Sequence, residues 1–180
     1  MRKTIALICM LLLALNFTIE ASACCNFRKS PEARILDACK EVMDVFSNRE
    51  GAHYSCGDDI IFDDIKATYE EGVGICSPTF VALVLYQSKL LTEEQINEYN
   101  YNWCGEDGLP SMLESAGWIK MDSSQAMPGD ILINYGINAM IYGGRNIYWD
   151  YTSCVKQVTG ESSVRDITGY SVYRAPSSFK

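Results

Sequence analysis

Residues 76–90 read Cys-Ser-Pro-Thr-Phe-Val-Ala-Leu-Val-Leu-Tyr-Gln-Ser-Lys-Leu. Ser77 is placed to cap a helix, and Pro78 is tolerated in its first turn. The helix is expected over Thr79 to Leu90, with Phe80, Val81, Val84 and Leu85 on one stripe. It is apolar nearly all round, so it is expected to be central and buried. The other elements arrange themselves about it.

Before it, Ser30-Pro31-Glu32 is a second helix start: a capping hydroxyl, a first-turn proline and an acid near the positive end. Ile35, Leu36, Cys39, Val42, Met43 and Phe46 recur at three and four, which makes one apolar face. Ser47-Asn48 and Gly51 are expected to end it. Residues 51–74 are acidic and irregular; Asp58, Asp59, Asp63 and Asp64 lack the glycine and glutamate of an EF-hand loop and read as a solvated face. After the central helix, Asn97 to Gly108 reads as a mobile connection rich in Asn, Tyr and Gly, followed by a short helix over Leu109–Ser115 closed by Gly117.

The second half reads as strands. Met127-Pro128-Gly129-Asp130 turns into Ile131 to Tyr135, Asn138 to Tyr142 follows, and Gly143 to Asn146 turns into Ile147 to Asp150. Thr168 to Arg174 is expected as the last strand. Helices first and an antiparallel sheet afterwards give an α+β domain.

Residues 1–23 read as a signal peptide: Arg2 and Lys3, then an apolar run of about 11 residues to Leu15, then Ala21-Ser22-Ala23 as a cleavage site. That run is too short to span a bilayer, and residues 24–180 suffice for a single domain. Glu20, and Ala21 three positions before Cys24, argue against a lipid anchor at Cys24. The expected location is extracellular or periplasmic.

Fifteen basic against 23 acidic side chains give a net charge of −8, with no basic stripe for phosphates. This excludes nucleic-acid binding and disfavours an anionic membrane surface. Seven of the eight cysteines remain after cleavage, so an oxidising compartment allows at most three intramolecular bridges, with connectivity open. Cys24-Cys25 has no zinc spacing, and no metal or cofactor is expected.

A thiol at a helix start followed by a β-hairpin is the order used by papain-like hydrolases. The chain resembles the NlpC family of papain-like cell-wall peptidases and the related amidases. The likeness is carried in order by Cys76 to Val81, Leu113 to Trp118, Pro128 to Ile131, Ile141 to Gly144 and Tyr148 to Asp150. It implies a papain-like (NlpC-type) fold, with N-terminal helices packed on a C-terminal antiparallel sheet, and hydrolysis of amide bonds in peptidoglycan peptides. The family places its nucleophilic cysteine three residues before the helix phenylalanine; here that position is Ser77, and Cys76 stands one step earlier. One step on a helix is about 100° of rotation. The family's histidine position matches Asn138, whose amide takes no proton at neutral pH, and its third polar position matches Asp150. The chain's one histidine, His53, precedes the thiol in a loop.

The plainer readings are a half-cystine or buried thiol for Cys76, a helix cap for Ser77, a strand or turn hydrogen-bonder for Asn138 and a solvated strand-end acid for Asp150. Tyr101, Trp103 and Trp149 are candidates for substrate binding, with Tyr99, Tyr101 and Trp103 forming a lip in the connection; the plainer role for aromatics is core packing. The resulting expectation is a secreted, disulfide-bonded, degenerate family member that binds a peptidoglycan-derived or other short peptide or a glycan. An active hydrolase using Cys76 is the alternative, and a structural secreted protein without ligand is the third.

Overall fold

A computed structural model describes residues 29–46, 60, 62–65, 75–144, 146–148, 150–152, 157–159, 162–163 and 166–179. The signal-like segment and Cys24, Cys25, His53, Cys56, Trp149 and Cys154 lie outside them.

Helix α1 spans Pro31–Phe46, and the Ser30 hydroxyl accepts the Ala33 N–H at 3.3 Å. Its buried face, Ile35, Ala38, Cys39, Val42 and Met43, packs against α2, Ser77–Gln87. In α2 every residue from Ser77 to Leu85 is buried, as its all-round apolarity requires. It stops before Leu90, the expected end. Lys89 takes a left-handed φ of 59°, and the N–H groups of Lys89 and Leu90 bond back to the carbonyls of Tyr86 and Leu85. This is a Schellman closure with lysine where glycine is usual, so the sequence carried no stop signal. Arg34 of α1 seals the same end, donating from Nε to Ser88 O at 2.8 Å and from Nη2 to Lys89 O at 2.6 Å. A cation there meets the negative end of the α2 dipole and ties the two helices together.

Helix α3, Glu93–Asn97, starts at a capping box in which Thr92 and Gln95 satisfy each other's backbone N–H groups. Helix α4 is Leu109–Ser115, with the expected bounds, and Gly117 at φ 86° follows it. No described helix is long and apolar enough to cross a membrane.

Among the described residues the strands are β1 (Ile119–Met121), β2 (Ile131–Asn134), β3 (Asn138–Tyr142), β4 (Asn146–Tyr148), β5 (Asp150–Thr152), β6 (Gln157–Thr159), β7 (Ser162–Ser163) and β8 (Ser171–Arg174). Six form an antiparallel sheet in the order β1-β8-β2-β3-β4-β7, while β5 and β6 pair separately. The chain is thus α+β, with the helices ahead of most of the sheet. The single return strand expected over Ile147 to Asp150 is divided: β4 stays in the large sheet and β5 leaves it. Ile131, Ile133, Ala139, Ile141 and Tyr173 join the helical core. Leu132, Met140 and Val172 face the other way, under Met121, Ala126, Ile167 and Tyr170. Strands β2, β3 and β8 therefore bury residues on both faces, which is why β2 and β3 read as continuous apolar runs.

The Pro-Gly-Asp turn is an anchor. Gly129 at φ 95° lies against α1, where an added Cβ would come within 2.6 Å of Glu32 Cβ. Its N–H donates to Tyr142 O at 2.7 Å. The buried Asp130 carboxylate accepts Arg174 Nε at 2.9 Å and Nη2 at 2.7 Å, and the Met127 N–H at 2.7 Å. This fork locks β2 to β8 and raises the pKa of the Arg174 guanidinium, chiefly through the hydrogen bonds to Asp130.

Candidate functional site

The start of α2 carries two polar side chains that point different ways. Cys76, extended at φ −104° and ψ 173°, is the residue in the cap position, and its carbonyl accepts the first helical bond from Phe80 N–H at 2.9 Å. Ser77 is already helical. The expectation that Ser77 caps the helix is therefore corrected: the chain enters the helix one residue earlier.

The hydroxyl of Ser77 serves the sheet instead. It accepts the Ala139 N–H at 3.1 Å, and Ser77 is only 3% exposed. The reason lies in the sheet. Among the described residues strand β4 pairs with Ile141 and Tyr142, and no described residue of β4 stands at the level of the Ala139 donor. A buried N–H without an acceptor is costly, and Ser77 supplies one from the helix start. This bond joins the core packing in seating the N-terminus of α2 on the first residues of β3.

Cys76 faces the connection after α3. Its sulfur is fully buried, 3.0 Å from Thr79 Oγ1, and donates to Asn102 O at 3.6 Å. Cys39, Cys76 and Cys104 are all buried, and no two of these three are bonded to each other. The four other cysteines of residues 24–180 lie outside the described residues. Burial pushes the Cys39 thiol well up from its ordinary value.

Asn138 opens β3, half-buried and opposite Asn134, one residue from the Ser77 bond. Asp150 opens β5, a strand that lies near both α2 and β3; its side chain lies outside the described residues. The structure thus gathers the elements that carry Cys76, Ser77, Asn138 and Asp150. It points the Cys76 thiol and the Ser77 hydroxyl in different directions.

The connection from Asn97 to Gly108 is held at many points rather than loose. Trp103 N–H donates to Asn100 O at 3.0 Å, Leu109 N–H to Trp103 O at 2.8 Å, and Asn100 bridges Gly108. Tyr101, expected at a ligand lip, is 6% exposed and sits edge-on to Phe62 with centroids 5.6 Å apart. It is a core residue. Trp103 is on the surface, 44% exposed, with its nitrogen-bearing ring lying on Gly105. Gly136 N–H donates to Cys104 O at 3.2 Å, which docks the β2–β3 turn beside the connection and leaves Ile137 71% exposed. The sequence reading missed Ile137. The available signal was a bulky aliphatic residue in a turn between two apolar strands.

On the other side of that turn, Tyr135 is held in a relay. Lys120 Nζ donates to Tyr135 Oη at 2.8 Å, the hydroxyls of Tyr135 and Tyr173 are 2.6 Å apart, and Tyr173 donates to Glu114 at 3.0 Å. Burial, then the bonds to Tyr135 and Glu114, push the Tyr173 phenol far up from its ordinary value.

A separate cleft of about 200 Å³ lies between α1 and the C-terminal end of α2, lined by Lys29, Arg34, Asp37, Glu41 and Lys89. Eleven residues of helix put it roughly 16 Å from Ser77. Lys29 is paired with Asp37 at 2.7 Å and Arg34 with two helix carbonyls, so these charges serve the fold.

No family model matches the chain, and neither does any curated protein or solved structure.

Proposed function

We propose that the chain is a secreted papain-like domain of the NlpC type whose hydrolytic chemistry is lost, and that it holds a peptidoglycan-derived or other short peptide where α2 meets β3. One observation carries the reading: the α2 N-terminus is seated on β3 through Ser77 and Ala139, with an amide, Asn138, beside the bond. Cysteine hydrolysis needs a thiolate aimed into the cleft and a base within reach of it. Here the residue turned toward β3 is a serine already engaged as an acceptor, and the strand offers Asn138 rather than a base. The Cys76 sulfur is buried against Thr79 and Asn102. Residues 1–23, with their basic start, apolar run and small-residue cleavage site, support export.

The test is sedimentation of the exported protein with insoluble cell wall, with mass spectrometry of the supernatant. Co-sedimentation without released peptides supports a binding module. Released peptides that disappear in Cys76→Ala establish the active hydrolase instead. Neither binding nor release, for wall or for short peptides, leaves the structural role.

A further inference from the structure

We infer that the peptide taken at this junction is cationic, with a basic side chain stacked on Trp103 and an apolar neighbour lying on Ile137. The inference rests on the peptide-binding reading above and narrows its ligand class. Three observations carry it.

The first is placement. Asn102 and Cys104 flank Trp103, and each is fixed to the junction: Asn102 O accepts from the Cys76 sulfur at 3.6 Å, and Cys104 O accepts from Gly136 N–H at 3.2 Å. Trp103 and Ile137 therefore border the seam between the α2 start and the β2–β3 turn, and both are exposed.

The second is preorganisation. The backbone of Trp103 is bonded on both sides, and its indole lies on Gly105, where a Cβ would come within 1.9 Å of Nε1. The glycine is the bed on which the ring lies. A ring fixed in this way costs little further entropy on binding.

The third is charge. Gly108 N–H bonds to Gly105 O at 3.0 Å, closing a turn whose two central residues are Glu106 and Asp107, both exposed. Two carboxylates thus stand within four residues of an exposed indole, on a chain of net charge −8. The side chain of Lys120 is drawn to the Tyr135 hydroxyl, on the β8 side of the turn. An exposed aromatic ring next in sequence to an acidic turn favours a cation by cation–π attraction and by Coulomb attraction together, and disfavours an acidic peptide.

The test uses fluorescence anisotropy with three labelled peptides of one length, built of alternating Leu and Lys, Leu and Gln, or Leu and Glu. The Lys peptide is expected to bind roughly tenfold or more tighter than the Gln peptide at low salt, with the Glu peptide weakest. Trp103→Ala should weaken the Lys peptide by roughly tenfold. Gly105→Ala, which displaces the ring without changing charge, should weaken it in the same direction. Glu106→Gln with Asp107→Asn should erase the preference for Lys over Gln. Equal binding of the Lys and Gln peptides overturns the cationic assignment and leaves the peptide-binding reading intact. Lys-peptide binding that survives Trp103→Ala unchanged overturns the assigned site. Absence of binding by all three peptides, and by cell wall, overturns both readings.

Discussion

Ser77→Ala isolates the bond on which the site's geometry depends. The substitution removes the hydroxyl that accepts Ala139 N–H at 3.1 Å, in a place where Ser77 is 3% exposed and Ala139 is fully buried. Water has little access to replace it, so the N–H is left unsatisfied at a cost of about 1–3 kcal/mol. Alanine's better helix propensity returns a few tenths of that, about 0.3 kcal/mol. The net expected loss is about 0.7–2.7 kcal/mol, which for a domain of this size lowers Tm by roughly 1–11 °C. Urea denaturation should show a lower midpoint with an unchanged slope. Hydrogen exchange should show the Ala139 amide protected in the parent protein and exchanging faster in the variant. A loss below about 0.5 kcal/mol, or an Ala139 amide that exchanges freely in the parent, would refute the argument that Ser77 pins helix to sheet.

Arg174→Met leaves the buried Asp130 carboxylate with only the Met127 N–H and should cost about 3–5 kcal/mol in urea denaturation, whereas Lys29→Met, at an exposed pair, should cost no more than about 1 kcal/mol. Lys89→Gly relieves a left-handed φ of 59° at the α2 closure and should stabilise by about 0.5–1 kcal/mol, read as a higher Tm. Because the folded state raises the pKa of Tyr173, its contribution is intact below the ordinary tyrosine value of 10.0 and declines as pH rises beyond it. Stability should therefore fall above about pH 10, and Tyr173→Phe should flatten that alkaline limb in a series of melts.

Elements governed by local signals were legible in the sequence. Ser30 and Pro31 set the start of α1, Gly117 the end of α4, and the turn at Gly129 the entry to β2. Where a signal was atypical, the reading drifted. Helix α2 was expected to reach Leu90 because lysine occupies the left-handed position that glycine usually marks. The Thr92–Gln95 capping box was a readable start for α3, but the helix is only five residues long and has little periodicity to show. Short edge strands such as β1 and β7 exist through pairing with distant partners, β8 and β4, and carry no pattern of their own.

The site was legible as a neighbourhood and not as an arrangement. The order of helix start and hairpin brought Cys76, Ser77 and Asn138 into view. That Ser77 rather than Cys76 turns toward β3 is set by a tertiary bond to Ala139, a long-range contact that residues 76–80 alone do not show. Tyr101 and Trp103 lie two positions apart in one aromatic stretch, and tertiary packing, the Phe62 contact included, separates the buried ring from the exposed one.

The central claim is that the Cys76 thiol is a buried packing group and not a nucleophile. Iodoacetamide labelling of the native protein at mildly acidic pH, mapped by mass spectrometry, tests it most directly, since only a stabilised, accessible thiolate reacts there. Cys76 should stay unmodified until the protein is denatured, together with the buried Cys39 and Cys104. Rapid and selective labelling of Cys76 in the native protein would contradict the account and restore the hydrolase.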